Sequence, residues 1–149
     1  MRYEKVNQDV YGLLTKVVDE NFDELHDVNF EVVFDTKKKT KGGRIVAAYI
    51  KKVNDLISYL SANDFEYMIF LDKKIWEAIE EPDKYRLFRH ELYHVFIDAR
   101  DEDVKYNLKD HDFEAFKAEI EIESREGGDQ LWQERIYVIA DAIYNKDEE

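Results

Sequence analysis

Apolar positions in the first half of the chain change from helical spacing to strand-like runs. Residues 2–20 carry apolar side chains every three or four positions, which predicts an amphipathic first helix. Residues 29–35, 44–53 and 65–72 are rich in β-branched and aromatic side chains, and each of these runs predicts a strand. The run at 65–72 is largely apolar, so we expect this strand to be central in the sheet.

The segment between the first two predicted strands is basic and contains a turn signal. Gly42-Gly43 favours a tight reversal of the chain, so residues 29–35 and 44–53 are predicted to pair as a hairpin with a long loop. We interpret the lysines of this loop as a solvated hairpin tip, with contact to an acidic partner as the alternative. These lysines are Lys37, Lys38, Lys39 and Lys41.

Helical spacing dominates the second half of the chain. Pro82 suits the first turn of a helix, because its missing N–H costs nothing there, and this helix is predicted to run to about Arg100. Asp110 is the expected N-cap of the next helix, which ends at Gly127-Gly128. Residues 132–143 carry an apolar stripe that predicts a final helix.

This order of elements is typical of an α+β fold. We predict a three-stranded, mostly antiparallel sheet packed on the helix that starts near Pro82, with further helices towards the C-terminus. The length of 149 residues favours one domain spanning residues 1–149.

Composition limits the chemistry and the surroundings of the protein. Cysteine is absent, so a transition-metal site must use histidine and carboxylate ligands. The first residues lack the apolar segment of a secretory signal, and no run approaches the roughly 18 apolar residues of a membrane span. We therefore expect a cytoplasmic protein that does not contact membranes.

The net charge of −13 argues against nucleic acid as a partner, because an acidic surface repels phosphate backbones. The charge is uneven: residues 1–75 carry 12 Lys/Arg and 13 Asp/Glu, and nearly all of the excess acid follows. We interpret this excess mainly as a solubilising surface.

Residues 89–96, RHELYHVF, carry His90, Glu91 and His94 in the spacing H-E-x-x-H. For the 4 His and 18 Glu of this chain, about 0.013 such matches are expected by chance. Helical residues four apart differ by about 40° in direction, so both histidines can hold one Zn²⁺. Glu91 lies on the adjoining flank and can reach a metal-bound water without being a ligand.

A catalytic zinc site normally has three protein ligands and one open position, so a further ligand must come from outside the motif. His111 follows His94 after 16 intervening residues, at the start of the next predicted helix, and is our first candidate. The alternative is a carboxylate of that helix. The carboxylates in question are Glu114, Glu119 and Glu123.

RHELYHVF followed by DHDFEAF resembles the phage metallopeptidase family, a group of small zincin-like proteins of bacteriophages and prophages. The resemblance covers roughly residues 30–120. It implies a zincin-like fold, His90, His94 and His111 as zinc ligands, Glu91 as catalytic base, and the host cytoplasm as location. The chain is also similar to the core of SprT-like proteases, although it has Asp112 where those tend to have glycine and lacks a zinc ribbon or basic extension.

The function that we predict is zinc-dependent hydrolysis of peptide bonds in a protein or peptide substrate. Glu91 would accept a proton from water and pass it to the leaving amine. Tyr106, Arg135 and Tyr137 are the candidates for stabilising the tetrahedral intermediate. By analogy with zincins, residues 44–53 would pair with an extended substrate.

Two other functions compete with this prediction. One is a zinc-containing module that binds a protein partner without hydrolysing it, for which an intact Glu91 is unnecessary. The other is a SprT-like protease acting on DNA–protein crosslinks, against which the acidic second half of the chain argues.

Overall fold

The computed structural model describes residues 2–60, 65–98, 105–108 and 131–145, and this part contains eight strands, five α-helices and one 3₁₀ turn. In chain order they are β1 (Tyr3–Lys5), α1 (Gln8–Asn21), the 3₁₀ turn (Asp23–Leu25), β2 (Phe30–Asp35), β3 (Thr40–Lys41), β4 (Arg44–Ile45), β5 (Ala48–Lys52), α2 (Asp55–Leu60), β6 (Tyr67–Asp72), α3 (Lys73–Ala78), α4 (Glu81–Leu92), β7 (Val95–Asp98), β8 (Lys105–Leu108) and α5 (Leu131–Asn145). The α+β class is as predicted.

The main sheet has four strands, so the prediction of three strands is wrong. Its order is β1-β2-β6-β5, with β2 and β6 parallel and the two outer strands antiparallel to their neighbours. The additional strand is β1, within the segment predicted as helix. All of β1 is exposed, and it is held by pairing with β2 and by the Arg2–Asp35 ion pair at 2.9 Å. The ion pair joins positions 33 residues apart and the strand pairing joins similarly distant positions, so the local spacing of apolar residues does not reveal this strand.

The predicted hairpin between residues 29–35 and 44–53 is also wrong. β6 lies between β2 and β5, and it is the central strand that its apolar sequence predicted. Tyr67, Ile69 and Leu71 of β6 are completely buried. The reversal at Gly42-Gly43 instead closes a small hairpin of its own, β3–β4. Both glycines have positive φ, 59° and 80°, which a two-residue primed turn requires.

One contiguous hydrophobic core joins the helices to the main sheet. Its members come from α1, the main sheet, α3, α4 and α5. On α5 the buried positions recur every fourth residue, at Trp132, Ile136, Ala140 and Tyr144. Burial of this stripe explains why the final helix was predictable from apolar spacing. Among the described helices, none combines the length and the apolar character that crossing a membrane requires.

The motif helix is shorter than predicted, because α4 ends at Leu92 rather than near Arg100. Pro82 does lie in its first turn. After Tyr93 and His94 the chain enters β7, which pairs with β8 as an antiparallel hairpin. The sequence Val95-Phe96-Ile97 favours a strand, since β-branched and aromatic side chains fit a pleated ladder better than a helix. The helix predicted between Asp110 and Gly127 lies outside the described residues.

Candidate metal centre

His90, Glu91 and His94 come together at the C-terminal end of α4. Each residue offers one ligand atom, and the three atoms all lie within 4.8 Å of one another. The two imidazole rings have centroids 5.8 Å apart and planes at 82°. This grouping of two nitrogen donors and one carboxylate fits a metal ion, since a protein without cysteine must use these donors.

The last turn of α4 keeps both histidines on one side although the regular helix stops between them. Tyr93 retains helical dihedrals, with φ −65° and ψ −18°. Its N–H donates to the Arg89 and His90 carbonyls at 3.3 Å each, and the His94 N–H donates to the Glu91 carbonyl at 3.1 Å. The turn therefore tightens towards 3₁₀ geometry before the chain leaves for β7, as helix ends often do.

The three side chains differ in exposure. Glu91 is only 6% exposed, whereas His90 and His94 are half-buried. The Trp132 indole meets the His90 ring edge-on, with centroids 5.8 Å apart. Trp132 is itself buried on α5, so the final helix fixes one side of the site. A carboxylate beside two imidazoles, with an apolar wall behind them, is an arrangement in which a water or metal can be held and polarised.

A cavity of about 430 Å³ opens onto the three motif residues, within the range of about 300–1,000 Å³ usual for ligand sites. Among the described residues, its walls come from the β3–β5 region, from α4 with the His94 that follows it, and from α5. They are formed by Lys41, Arg44, Ile45, Val46, Ala47, Ala48, Tyr49, Ile50, Leu87, His90, Glu91, His94, Trp132, Gln133, Ile136 and Tyr137.

Tyr49 lines this cavity, but its hydroxyl is already used. It donates to the Asp35 carboxylate at 2.9 Å. Burial together with this bond holds the pKa of Tyr49 well above its ordinary value, so the phenol stays neutral. Burial also acts to raise the pKa of Asp35, but hydrogen bonds from Arg2, the Lys37 N–H and Tyr49 outweigh it and leave that pKa lowered. Asp35 is therefore an ionised anchor for the cavity wall.

Two of the three candidates for an oxyanion donor can be located. Tyr137 lines the cavity, whereas Arg135 makes two hydrogen bonds to Asp83, at 2.8 and 3.1 Å, and is not among the lining residues. Tyr106 lies in β8, and its side chain is outside the described part. His111, Glu114, Glu119 and Glu123 also lie outside the described residues.

The sequence predicted that residues 44–53 pair with substrate through their backbone, but it assigned no role at this site to several side chains that line the cavity. Lys41 and Arg44 flank the Gly42-Gly43 turn, and Trp132 was interpreted only as part of an apolar stripe. For Lys41 and Arg44 the sequence did contain a signal, the Gly42-Gly43 turn, because a tight reversal brings the residues on either side of it together.

The sequence profile of the family described as "Putative phage metallopeptidase" matches residues 1–144. The chain belongs to this family. The phage metallopeptidase family suggests peptidase activity, and thus a protein or peptide substrate, and the His90–Glu91–His94 group suggests where a metal would bind. No curated protein and no solved structure matches the chain.

Proposed function

We propose that this phage metallopeptidase is a zinc-dependent peptidase with a zincin-like, single-domain fold. The observation that carries the proposal is the approach of His90, Glu91 and His94 ligand atoms to within 4.8 Å of one another at the wall of a 430 Å³ cavity. Family membership supports hydrolysis of peptide bonds over metal storage or a purely structural metal.

His90 and His94 are two zinc ligands in this proposal, and His111 is the third. A carboxylate such as Glu119 is the alternative third ligand. Three protein ligands leave one position open for water and substrate, as catalytic zinc sites require. Bound zinc would polarise the scissile carbonyl and lower the pKa of a water to about 7.

Glu91 is the general base. Its carboxylate is adjacent to both histidines yet lies one residue beyond the first of them, so it can contact the attacking water from the side. It takes the proton of that water and delivers it to the nitrogen of the leaving amine. Low exposure favours this role, because few bulk water molecules can reach the carboxylate and compete with the attacking water.

Tyr137 is the group that we assign to the developing oxyanion. Among the three candidates it is the one described on the cavity wall, and its ring is fixed beneath the Arg44 guanidinium at 4.3 Å. A fixed phenol can donate a hydrogen bond as the carbonyl oxygen gains charge. Arg135 is excluded from this role by its two hydrogen bonds to Asp83.

The test begins with metal content, measured by elemental mass spectrometry on untagged protein. We expect about one zinc per chain. Cleavage is then assayed on a peptide library derived from a proteome, with new termini identified by mass spectrometry. Glu91→Gln should keep zinc and lose cleavage by roughly 10²–10⁴-fold, the usual contribution of a general base. Glu81→Gln, on the exposed first turn of the same helix, is the matched control and should cleave normally.

Three outcomes would contradict the proposal in different ways. Unchanged cleavage by Glu91→Gln would show that Glu91 is not the general base. Zinc binding without any cleavage by the unmodified chain favours the module that binds a protein partner. Tight, salt-sensitive DNA binding together with cleavage of DNA-bound protein favours the SprT-like alternative.

A further inference from the structure

We propose that Arg44 and Lys41 form a carboxylate-recognition site at the mouth of the cavity, so that the peptidase prefers peptides with a carboxylate beside the scissile bond. The carboxylate comes from an acidic side chain or from a free C-terminus. This inference rests on the proposed function, because it concerns the substrate class of the same site.

The β3–β4 hairpin places both cations at the cavity. Lys41 and Arg44 are register partners in this hairpin, on either side of Gly42-Gly43. Both side chains are exposed and both line the cavity that His90, Glu91 and His94 also line. The Val46 N–H donates to the Lys39 carbonyl at 2.8 Å and so extends the hairpin by one bond. The Asp72 N–H of β6 donates to the Ala47 carbonyl at 2.8 Å and ties the end of the hairpin to the main sheet. The two charges are therefore carried by an anchored turn.

Arg44 is oriented by an aromatic ring. Its guanidinium carbon lies 4.3 Å from the centroid of Tyr137, in a cation–π contact. Such a contact uses the face of the guanidinium and leaves its N–H groups in the plane available to an acceptor. Because Tyr137 belongs to the wall beside the motif, the contact directs Arg44 towards the part of the cavity where substrate would lie.

The ion pairs in the described part of the chain involve other cations than Lys41 and Arg44. Arg2 pairs with Asp35, Lys73 with Glu4, and both Arg86 and Arg135 with Asp83. Within the ranges that the structure describes, no carboxylate pairs with Lys41 or Arg44. In a chain of net charge −13, two cations without carboxylate partners at a cavity mouth are well suited to a ligand that supplies the carboxylate.

Charge balance at the cavity points to the same ligand. Its described walls carry two permanent cations, Lys41 and Arg44, against the single carboxylate of Glu91. The two cations lie together on the β3–β4 hairpin, and such a local excess of positive charge favours a ligand that carries negative charge. The remaining wall at Leu87 and Ile136 is apolar, so it suits the neutral side chain next to the acidic one.

The experiment uses succinyl hydroxamates that bind the metal without being cleaved. Three compounds share one leucine-like side chain and end in glutamate amide, glutamine amide or glutamine with a free carboxylate. Their dissociation constants are measured on the zinc-loaded protein by calorimetry, after zinc content is established. We expect the carboxylate-bearing compounds to bind about tenfold more tightly than glutamine amide, near the low end for a hydrogen bond to a charged group. Comparing the two acidic compounds separates a side-chain from a C-terminal carboxylate.

The variants identify which residues recognise the carboxylate. Arg44→Gln and Lys41→Gln should each reduce the preference to about threefold or less. Arg44→Glu should reverse the preference when a fourth compound, which ends in lysine amide, is compared with the acidic compounds. Lys5→Gln removes an exposed positive charge on β1, at the opposite edge of the sheet from β5, and should leave the preference unchanged. Lys41→Gln alters an exposed side chain and keeps the test available if an Arg44 variant does not fold.

Equal affinity for all three compounds would overturn the inference and leave the metal site standing. A preference that survives both Arg44→Gln and Lys41→Gln would also overturn it, because another group would then recognise the carboxylate. A protein that takes up no zinc would remove the proposed function and this inference together.

Discussion

The Arg135 guanidinium and the Asp83 carboxylate form a two-pronged ion pair between α5 and α4, with N–O distances of 2.8 and 3.1 Å. Asp83 is 6% exposed and also accepts from Arg86 at 3.1 Å. Burial acts to raise the pKa of Asp83, but these partners outweigh it and leave the pKa lowered. The pair fastens the helix that carries Trp132 and Tyr137 to the helix that carries the metal motif.

Breaking this pair should destabilise the protein in a pH-dependent way. Half of the Arg135 side chain is exposed, so we expect Arg135→Gln to lower the free energy of unfolding by about 1 kcal/mol. Because the folded pKa of Asp83 lies below its unfolded value of about 3.9, the stabilisation is present above that value and is lost as pH falls through the folded pKa. Urea unfolding at pH 7 and pH 3 measures the difference.

The neighbouring Glu134→Gln is the control for Arg135→Gln, since Glu134 is exposed on the same turn of α5. It should change stability by less than about 0.5 kcal/mol. A double mutant with Asp83→Asn should be less destabilised than the sum of the single variants. If the changes in unfolding free energy of the two single variants are strictly additive, Arg135 and Asp83 do not interact.

Tyr144 and Asp72 form a second link from α5 to the body of the protein, and it should respond to pH in the opposite sense. The Tyr144 hydroxyl donates to the Asp72 carboxylate, which also caps α3 by accepting from the Ile75 N–H at 3.0 Å. Burial raises the pKa of Asp72, although the Tyr144 bond acts to lower it. The contribution of Asp72 to stability is therefore complete below its unfolded pKa and declines as pH rises through the folded pKa.

We expect Tyr144→Phe to lower the free energy of unfolding by about 1–3 kcal/mol at pH 8 and by less at pH 4. At pH 8 the ionised Asp72 loses its Tyr144 donor and keeps the Ile75 N–H, whereas at pH 4 a protonated Asp72 depends less on the lost donor. Tyr59→Phe, which alters a tyrosine that is 81% exposed, should have no effect at either pH. Denaturant titrations at both pH values supply the comparison. If Tyr144→Phe lowers the free energy of unfolding by more at pH 4 than at pH 8, the proposed dependence on ionisation of Asp72 is wrong.

The elements that could be predicted from the sequence are those with a pattern of apolar residues within their own segment. β6 was recognised as central because its residues are apolar, and Tyr67, Ile69 and Leu71 are indeed fully buried. β1 has only exposed positions, so its sequence contains no pattern of burial to detect. The order β1-β2-β6-β5 depends on pairing between distant segments, and turn signals alone do not determine it.

The residues of the candidate site also fall into two groups: those that local spacing predicts, and those that only the fold brings together. His90, Glu91 and His94 could be grouped from spacing alone, because residues one turn apart share a face even where the helix is ending. Arg44 and Tyr137 meet only through the fold, across 93 positions of sequence. The early end of α4 was missed because the helical interpretation of residues 82–100 ignored the strand propensity of the VFI segment.

Replacing glycine by alanine should stabilise the protein at one position and destabilise it at another. Gly12 lies exposed inside α1 with no atom within 4 Å of an added Cβ, so Gly12→Ala should stabilise the protein by about 0.5–1 kcal/mol. Gly43 has equally open surroundings but a φ of +80°, so Gly43→Ala should destabilise it by about 1–2 kcal/mol. Thermal unfolding of both variants distinguishes backbone strain from crowding, since neither methyl group meets a neighbour. Equal changes in unfolding temperature for the two variants would show that the positive φ of Gly43 does not determine the effect of the substitution.

The third zinc ligand can be decided by affinity rather than by activity. If His111 is the ligand, His111→Ala should weaken zinc binding by more than about 100-fold, because two histidines alone hold the ion poorly. Glu119→Gln should then bind zinc as the unmodified chain does, and it serves as the control within the same segment. Competition with a chromophoric chelator measures both affinities without any substrate. If Glu119→Gln loses zinc and His111→Ala keeps it, the site has two histidines and one carboxylate, and Glu119 replaces His111 in the proposed function.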